Sequence, residues 1–147
     1  MTQAVMTRAE LQLVSDRFQE VFKRRSADAL AAFYSLDGVV ESPMFATLRG
    51  RNAIGEAQRA FFSSFPDASI TLDATVIDPP HIALFATMNA THVNEFFGLP
   101  GTGRHIEFRL CRLLRMDADL IAHEARIYDF TGLLVQVGVL RAKPAKP

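Results

Sequence analysis

Residues 104–130 of the 147-residue chain read RHIEFRLCRLLRMDADLIAHEARIYDF, and this stretch decides the fold class. Its pattern predicts one strand from Arg104 to Met116 and a second from Leu120 to Phe130. The residues from Asp117 to Asp119 have the composition of a tight turn between them. Strands joined by such a turn run antiparallel, which predicts a sheet of long strands in the C-terminal half.

The sequence upstream of this hairpin changes its apolar period at Ala68. Apolar and polar residues alternate from Ile70 to Thr75, and the Asp78-Pro79-Pro80 segment then forces a turn. A further strand is predicted from His81 to Asn94. Before Ala68 the apolar residues recur at helical spacing instead.

Three helices are predicted in the N-terminal half. The first runs from Thr7 to Arg25, and the third runs from Arg51 to Phe65. The second begins at Ser26 and ends at the Asp37-Gly38 turn, with an inner face made of Leu30, Phe33 and Tyr34. Three helices followed by long strands predict an α+β fold in which the helices cover one face of a curved antiparallel sheet.

The sequence has no internal repeat, low-complexity segment or linker that would divide it. A chain of 147 residues suits a single core. We therefore expect one domain over residues 1–147, with an ordered core from about residue 7 to residue 140 and a frayed tail at 141–147.

Charge and composition restrict the partners. The chain has 16 basic and 16 acidic residues, so nothing in its net charge attracts nucleic acid or an anionic membrane, and small molecules or proteins are the expected partners. Cys111 is the only cysteine, which rules out an intrachain disulfide. Residues 1–10 lack the apolar core of a signal peptide, and no apolar run approaches membrane-spanning length. We expect a soluble cytoplasmic protein.

Asp129 is the strongest catalytic candidate. On a regular strand it shares a face with Ile121, Ala125 and Ile127, and that face is otherwise apolar except for His123. A carboxylate on an apolar face is desolvated, which raises its pKa toward the range useful for proton transfer. The alternative is structural: an aspartate here would cap the turn at residues 130–133 by accepting backbone N–H bonds.

Four segments stand in an informative order and separation: GRNAI at 50–54, FPD at 65–67, THVNEFFGLPGTGR at 91–104 and DFTGLLVQVG at 129–138. Together they resemble the SnoaL-like polyketide cyclase family, whose members typically carry G-R-x-A-I, F-P-D, T-H-x-G-x-F-x-G-x-P-P-T-G-[KR] and D-x-x-G-L-L-x-Q-L-G. The resemblance extends from about residue 10 to residue 140.

This resemblance implies a nuclear transport factor 2-like fold, in which a curved sheet and helices form a cone around an apolar cavity that takes a small hydrophobic ligand. It also implies an aldol ring closure in which the aspartate matched by Asp129 is the general acid/base, without metal or organic cofactor. An apolar cavity suits such chemistry because it excludes water, raises the carboxyl pKa and holds the reacting carbons together.

The chain departs from the family pattern where the pocket lining is expected. Members often have I-x-E-x-W on the last strand, and the corresponding positions here are Ile121, His123 and Ala125. Gly101 and Asn94 replace a proline and a glycine of the third motif. A changed lining predicts a changed ligand or lost chemistry.

Several other side chains are candidates for contact with a ligand. Tyr34 and Asn89 could orient a carbonyl group, and His123 could line the cavity rim, although a strand-end histidine usually bonds to solvent or to a backbone carbonyl. His92 either contacts the ligand or fixes the loop at residues 98–103 through a hydrogen bond.

The aromatic residues and the histidine spacing bear on the type of ligand. Phe18 and Phe61 belong to helical faces that form either plain core or the lining of a hydrophobic cavity. The four histidines show no paired spacing, which argues against a metal site. The glycine-rich loop at residues 98–103 precedes a strand and so lacks the helix N-terminus that a phosphate would need.

Two functions stay open. The first is a cofactor-independent enzyme that uses Asp129 on a small hydrophobic carbonyl substrate, by aldol cyclisation or related lyase or isomerase chemistry. Isomerisation ranks lower because the sequence offers no clear second acid with a tyrosine partner. The second is a non-catalytic ligand-binding or dimerising module. The strand at 104–116 carries apolar residues on both faces, for example Leu110 and Leu113, so we expect a homodimer that covers one face.

Overall fold

The computed structural model describes residues 5–141, which form four helices against one curved six-stranded sheet. The helices are α1 (Arg8–Lys23), α2 (Ala27–Ala31), α3 (Arg51–Ser64) and α4 (Phe130–Val137). The strands are β1 (Tyr34–Ser42), β2 (Ala46–Arg49), β3 (Ser69–Asp78), β4 (His81–Thr91), β5 (His105–Asp117) and β6 (Leu120–Tyr128). The α+β prediction is confirmed, and residues 142–147 of the predicted tail lie outside the described part of the chain.

Three of the four described helices, α1, α2 and α4, begin where a side chain accepts one of their free N–H groups. The Thr7 hydroxyl accepts from the Glu10 amide at 3.2 Å, which starts α1 as predicted. The Asp129 carboxylate accepts from the Gly132 amide at 2.8 Å and starts α4, where the sequence predicted only a turn. A β-carbon on Gly132 would collide with that carboxylate, which explains the glycine of the D-x-x-G motif.

The second helix is shorter than predicted. It ends at Ala31, and Tyr34 is the first residue of β1 rather than part of a helical inner face. The reason is tertiary: Tyr34 pairs with Ile121 in the sheet, and its carbonyl accepts from the Arg51 guanidinium at 2.6 and 2.8 Å. Such contacts override the local helical spacing.

The sheet is mixed, with strand order β2-β1-β6-β5-β4-β3. An antiparallel sheet was expected, but β1 and β6 are parallel, with Val40 opposite Glu124. This pairing sets the first long strand beside the last one. The core lies between the inner face of the sheet and the helices, where Phe22, Phe65 and Leu114 are almost fully buried.

A register shift in β6 decides which side chains face inward. Met116 pairs with Ile121, but Arg115 pairs with His123, so Ala122 is an extra residue in the ladder. One extra residue exchanges the two faces of a strand. The face predicted to contain Ile121, Ala125 and Ile127 therefore faces the core only at Ile121. Beyond the shift Glu124 is fully buried, whereas Ile127 is 65% exposed.

Candidate functional site

A narrow pocket, the inner pocket, lies between α3, the end of β1 and the inner face of β4, β5 and β6. It has a cavity volume of about 30 Å³, which is room for a water molecule or a small functional group. Most of its lining is apolar. The lining residues are Ser42, Met44, Phe45, Ala57, Gln58, Phe61, Met88, Phe108, Leu110, Arg112, Arg126 and Tyr128.

A more open groove, the outer groove, shares two of these residues, Phe45 and Phe61, with the inner pocket. It has a volume of about 220 Å³. The remaining lining residues are Ala60, Ser64, Glu95, Phe96 and Phe97. The rings of Phe45 and Phe61 thus stand where the narrow space meets the open one.

A buried charge cluster forms the polar wall of the inner pocket. Glu124 is fully buried, and its Oε2 accepts from Arg126 Nε at 2.6 Å and from Arg112 Nη1 at 3.5 Å. Its Oε1 accepts the hydroxyl proton of Tyr34. A second acid with a tyrosine partner was not evident from the sequence, and Glu124 with Tyr34 is such a pair.

Sheet register explains why these charges meet. Arg112 on β5 lies directly opposite Arg126 on β6, and both face inward. Like charges opposite each other on one sheet face repel, so this pair needs a compensating anion. Glu124 provides it from two residues earlier on the same face of β6.

The charges also set the protonation states. Burial alone would raise the pKa of Glu124, but Arg126 and Arg112 outweigh it and hold that pKa below its ordinary value. Burial, followed by the nearby Glu124 charge, raises the pKa of Tyr34 well above its ordinary value. Glu124 is therefore an anion and Tyr34 a neutral hydrogen-bond donor at neutral pH.

Arg112 is held by aromatic rings and is incompletely bonded. Its guanidinium carbon lies 5.4 Å from the ring centre of Phe18 and 5.9 Å from that of Phe22, at cation–π distance. Its Nε is buried without a hydrogen-bond partner among the described residues. Burial lowers the pKa of Arg112, yet a guanidinium stays charged at neutral pH.

Tyr128 is the third polar group of this wall. Its hydroxyl lies 3.4 Å from Ser42 Oγ, and its ring packs 5.1 Å from that of Phe108. Burial raises the pKa of Tyr128 above its ordinary value, so the phenol stays protonated and can donate.

Two guanidiniums and one carboxylate leave the cluster with one net positive charge. The arrangement suits an oxygen atom that carries or develops negative charge.

Asp129 is placed differently from the expectation. Its side chain is exposed, it caps α4, and it is not part of the inner pocket lining. The premise of a carboxylate desolvated on an apolar face is therefore wrong, because Ala122 shifts the register and Asp129 follows the end of β6. The structural alternative, a helix cap, is confirmed.

His123 and Asn89 also lie outside the inner pocket. His123 Nε2 is 3.3 Å from Glu41 on the outer face of the sheet, and Asn89 Oδ1 is 2.9 Å from His105 Nε2 there. The expectation that they contact a ligand in the cavity is wrong, because both side chains lie on the outer face of the sheet.

His92 fixes the loop, as its structural alternative predicted. The side chain is fully buried, and its Nδ1 accepts the Thr102 amide at 3.3 Å and lies 2.9 Å from the Thr102 hydroxyl. Acceptance at Nδ1 places the ring proton of the neutral imidazole on Nε2, which is buried without a hydrogen-bond partner among the described residues.

The three other candidates contribute in distinct ways. Phe61 lines both the inner pocket and the outer groove, Phe18 is core that packs on Arg112, and Tyr34 reaches the pocket only through Glu124. Arg112, Arg126 and the other polar lining residues were not among the residues predicted from the sequence. Arg112 had a visible signal, since it stands in the even-numbered apolar row of β5 with Leu110 and Leu114.

Residues 5–141 have neither a metal-binding cluster nor a membrane-spanning helix. They contain no group of three or more His, Cys, Asp or Glu side chains that could hold a metal ion. They also contain no helix that is long and apolar enough to cross a membrane.

Solved structures with the same architecture define the class of fold. AclR, a putative hydroxylase from Streptomyces galilaeus, has a TM-score of 0.82 at 22% identity, over 94% of this chain and 87% of that one. A putative SnoaL-like polyketide cyclase from a Jannaschia species has a TM-score of 0.80 at 10% identity, over 95% and 99%. A Catenulispora acidiphila protein of ketosteroid isomerase-like fold has a TM-score of 0.71 at 16% identity, over 85% and 92%. The fold is nuclear transport factor 2-like.

The family follows from the sequence match. The model of the SnoaL-like polyketide cyclase family matches residues 12–137, and the chain belongs to that family. A comparison with curated protein sequences found no significant match.

Proposed function

We propose that the protein is a cofactor-independent enzyme of the cyclase or isomerase type that acts on a small hydrophobic carbonyl compound at the inner pocket. The observation that carries this proposal is the pair of guanidiniums, of Arg112 and Arg126, in the lining of a mostly apolar pocket, where Arg112 is 4% exposed and the Arg126 side chain 11%. Removal of a proton beside a carbonyl group moves negative charge onto its oxygen. Preorganised cations and hydroxyl donors in a site of low dielectric stabilise that charge strongly.

The proposed reaction begins with an enolate held by these donors. A proton leaves the carbon beside the carbonyl, and Arg126 and the Tyr128 hydroxyl share the charge on the oxygen. In an isomerisation the proton returns to another carbon. In an aldol cyclisation the enolate carbon bonds to a second carbonyl carbon of the same molecule, and the resulting alkoxide takes the proton.

Asp129 is the proposed proton acceptor, on the resemblance to the family alone. It adjoins Tyr128, which lines the inner pocket, but its carboxylate now bonds to the Gly132 amide. The role requires the carboxylate to leave that cap and turn toward the pocket, so it is a prediction to be tested.

The test needs no knowledge of the natural substrate. Benzylacetone in deuterated water should exchange the hydrogens beside its carbonyl faster with the protein than in buffer, measured by mass spectrometry. Asp129→Asn should slow this exchange by about 10²- to 10⁴-fold, the usual contribution of a general base. Asn also caps helices well, so the unfolding midpoint should stay unchanged. Benzylacetone that neither binds nor exchanges with the wild-type protein would overturn the proposal.

A second candidate function is ligand binding without chemistry. The observation in its favour is that none of the described lining residues of the inner pocket is a carboxylate or a histidine. A binding module would hold benzylacetone without accelerating exchange, and Asp129→Asn would leave its affinity unchanged.

A further inference from the structure

The net charge beside the inner pocket indicates what kind of ligand the pocket binds. This inference rests on the proposed function. Arg112 and Arg126 supply two positive charges, and Glu124 neutralises one. Glu124 lies behind the two arginines, and no carboxylate lines the inner pocket itself among the described residues. A buried charge without a partner costs several kcal/mol, so an anion from outside would remove a real penalty.

The unused hydrogen-bond donors of the two guanidiniums show where such an anion would bond. Among the described residues the two guanidiniums bond only to Glu124, and the Arg112 contact is long at 3.5 Å. Arg112 is 4% exposed, and its buried Nε lacks an acceptor. The planar edge of a guanidinium matches the two oxygens of a carboxylate, which favours that anion over a bulkier phosphate in so narrow a space.

Size and charge together give the orientation. The inner pocket admits only a small group, whereas the outer groove is several times larger and carries the exposed ring of Phe97. Glu95 lines the outer groove and would repel an anion there. The charged end of a ligand therefore belongs at Arg112 and the apolar body in the outer groove.

We propose that the natural ligand is an aromatic or aliphatic carboxylate. Its carboxylate binds Arg112 in the inner pocket, and its apolar body passes between Phe45 and Phe61 to lie in the outer groove. The carbonyl group that reacts belongs to the same molecule and bonds to Arg126 and the Tyr128 hydroxyl, so the carboxylate at Arg112 positions it and is not itself transformed.

The test compares two probes of nearly equal shape by calorimetric titration. Hydrocinnamate carries a carboxylate, and benzylacetone has a methyl ketone in its place. The wild-type protein should bind hydrocinnamate at least about 10-fold more tightly, because hydrogen bonds to charged groups contribute about 1.5–3 kcal/mol and 1.4 kcal/mol is a factor of ten. Equal affinities would overturn the inference while leaving the proposed function intact. Binding of neither probe would overturn both.

Three variants locate the two ends of the ligand. Arg112→Met should abolish the preference for hydrocinnamate and leave benzylacetone affinity within about 2-fold of wild type. Phe97→Ala should weaken both probes alike, since it shortens the outer groove. Arg109→Met, which removes an exposed arginine from the outer face of β5, should change neither. An unchanged preference in Arg112→Met would contradict the assignment, and the comparison of probes on wild-type protein stands even if that variant folds poorly.

Discussion

The inner and outer faces of β5 and β6 each contain exceptions to the usual distribution of side chains. Inward, the sheet presents Arg112, Glu124 and Arg126 to the interior. Outward, Phe85, Cys111 and Ile127 stand in one cross-strand row, with Phe85 41% and Ile127 65% exposed. Buried charge and exposed apolar surface both cost stability in an isolated chain. We propose that each face is built for contact at these positions, the inner one with a small molecule and the outer one with a protein surface.

The largest effect should come from removing the anion of the inner face. Glu124→Gln leaves two guanidiniums opposite each other without a counter-charge, and we expect a loss of about 3–5 kcal/mol in the free energy of unfolding, measured with urea. Glu41→Gln, an exposed glutamate of β1 that pairs with His123, is the matched control and should change stability by less than about 0.5 kcal/mol. Similar losses in both variants would show that the buried cluster has no special role.

The next effect concerns the outer face, which we propose is covered by a second copy of the chain. Ile127→Glu should weaken dimerisation by at least about 10-fold, because burial of an isoleucine contributes about 1.5–3 kcal/mol and the glutamate must be desolvated. Light scattering across a dilution series measures the change. Leu13→Glu, at an equally exposed position on α1, should leave association unchanged. A wild-type protein that is monomeric at micromolar concentration would contradict the dimer.

The smallest effect is the acid dependence of the inner face. Because the folded pKa of Glu124 lies below its ordinary value of 4.5, the unfolded chain takes up this proton first as the pH falls. The contribution of Glu124 is therefore complete above about pH 4.5 and is lost as the pH falls through its folded pKa. Wild type should lose up to about 1.4 kcal/mol per pH unit more than Glu124→Gln in that range. Parallel losses in urea titrations of the two proteins would refute the assignment.

The fold class could be predicted from local patterns in the sequence, because strand alternation, turn residues and helix caps each depend on only a few neighbouring residues. The long alternation of β5 and the α1 cap at Thr7 are clear examples. The α2 to β1 boundary was wrong because the pairing of Tyr34 with Ile121 joins residues far apart in the chain.

The candidate site was predictable only in part. Arg112 could be read from the even-numbered row of β5, by the same argument that singled out Asp129. Glu124 and Arg126 could not, since the extra residue at Ala122 exchanges the faces of β6 and leaves no local signal. A cluster whose members come from three strands is visible only after the sheet is assembled.

The bond between Tyr34 and Glu124 joins residues 90 positions apart. Contacts of such long range form late in folding, because closing a large loop costs entropy before any contact repays it. Until the last strand has been synthesised and docked, the first strand lacks its parallel neighbour and Tyr34 lacks its acceptor. The completeness of the inner pocket thus reports that the whole chain has folded, and a truncated or half-folded protein would have no site to offer a ligand.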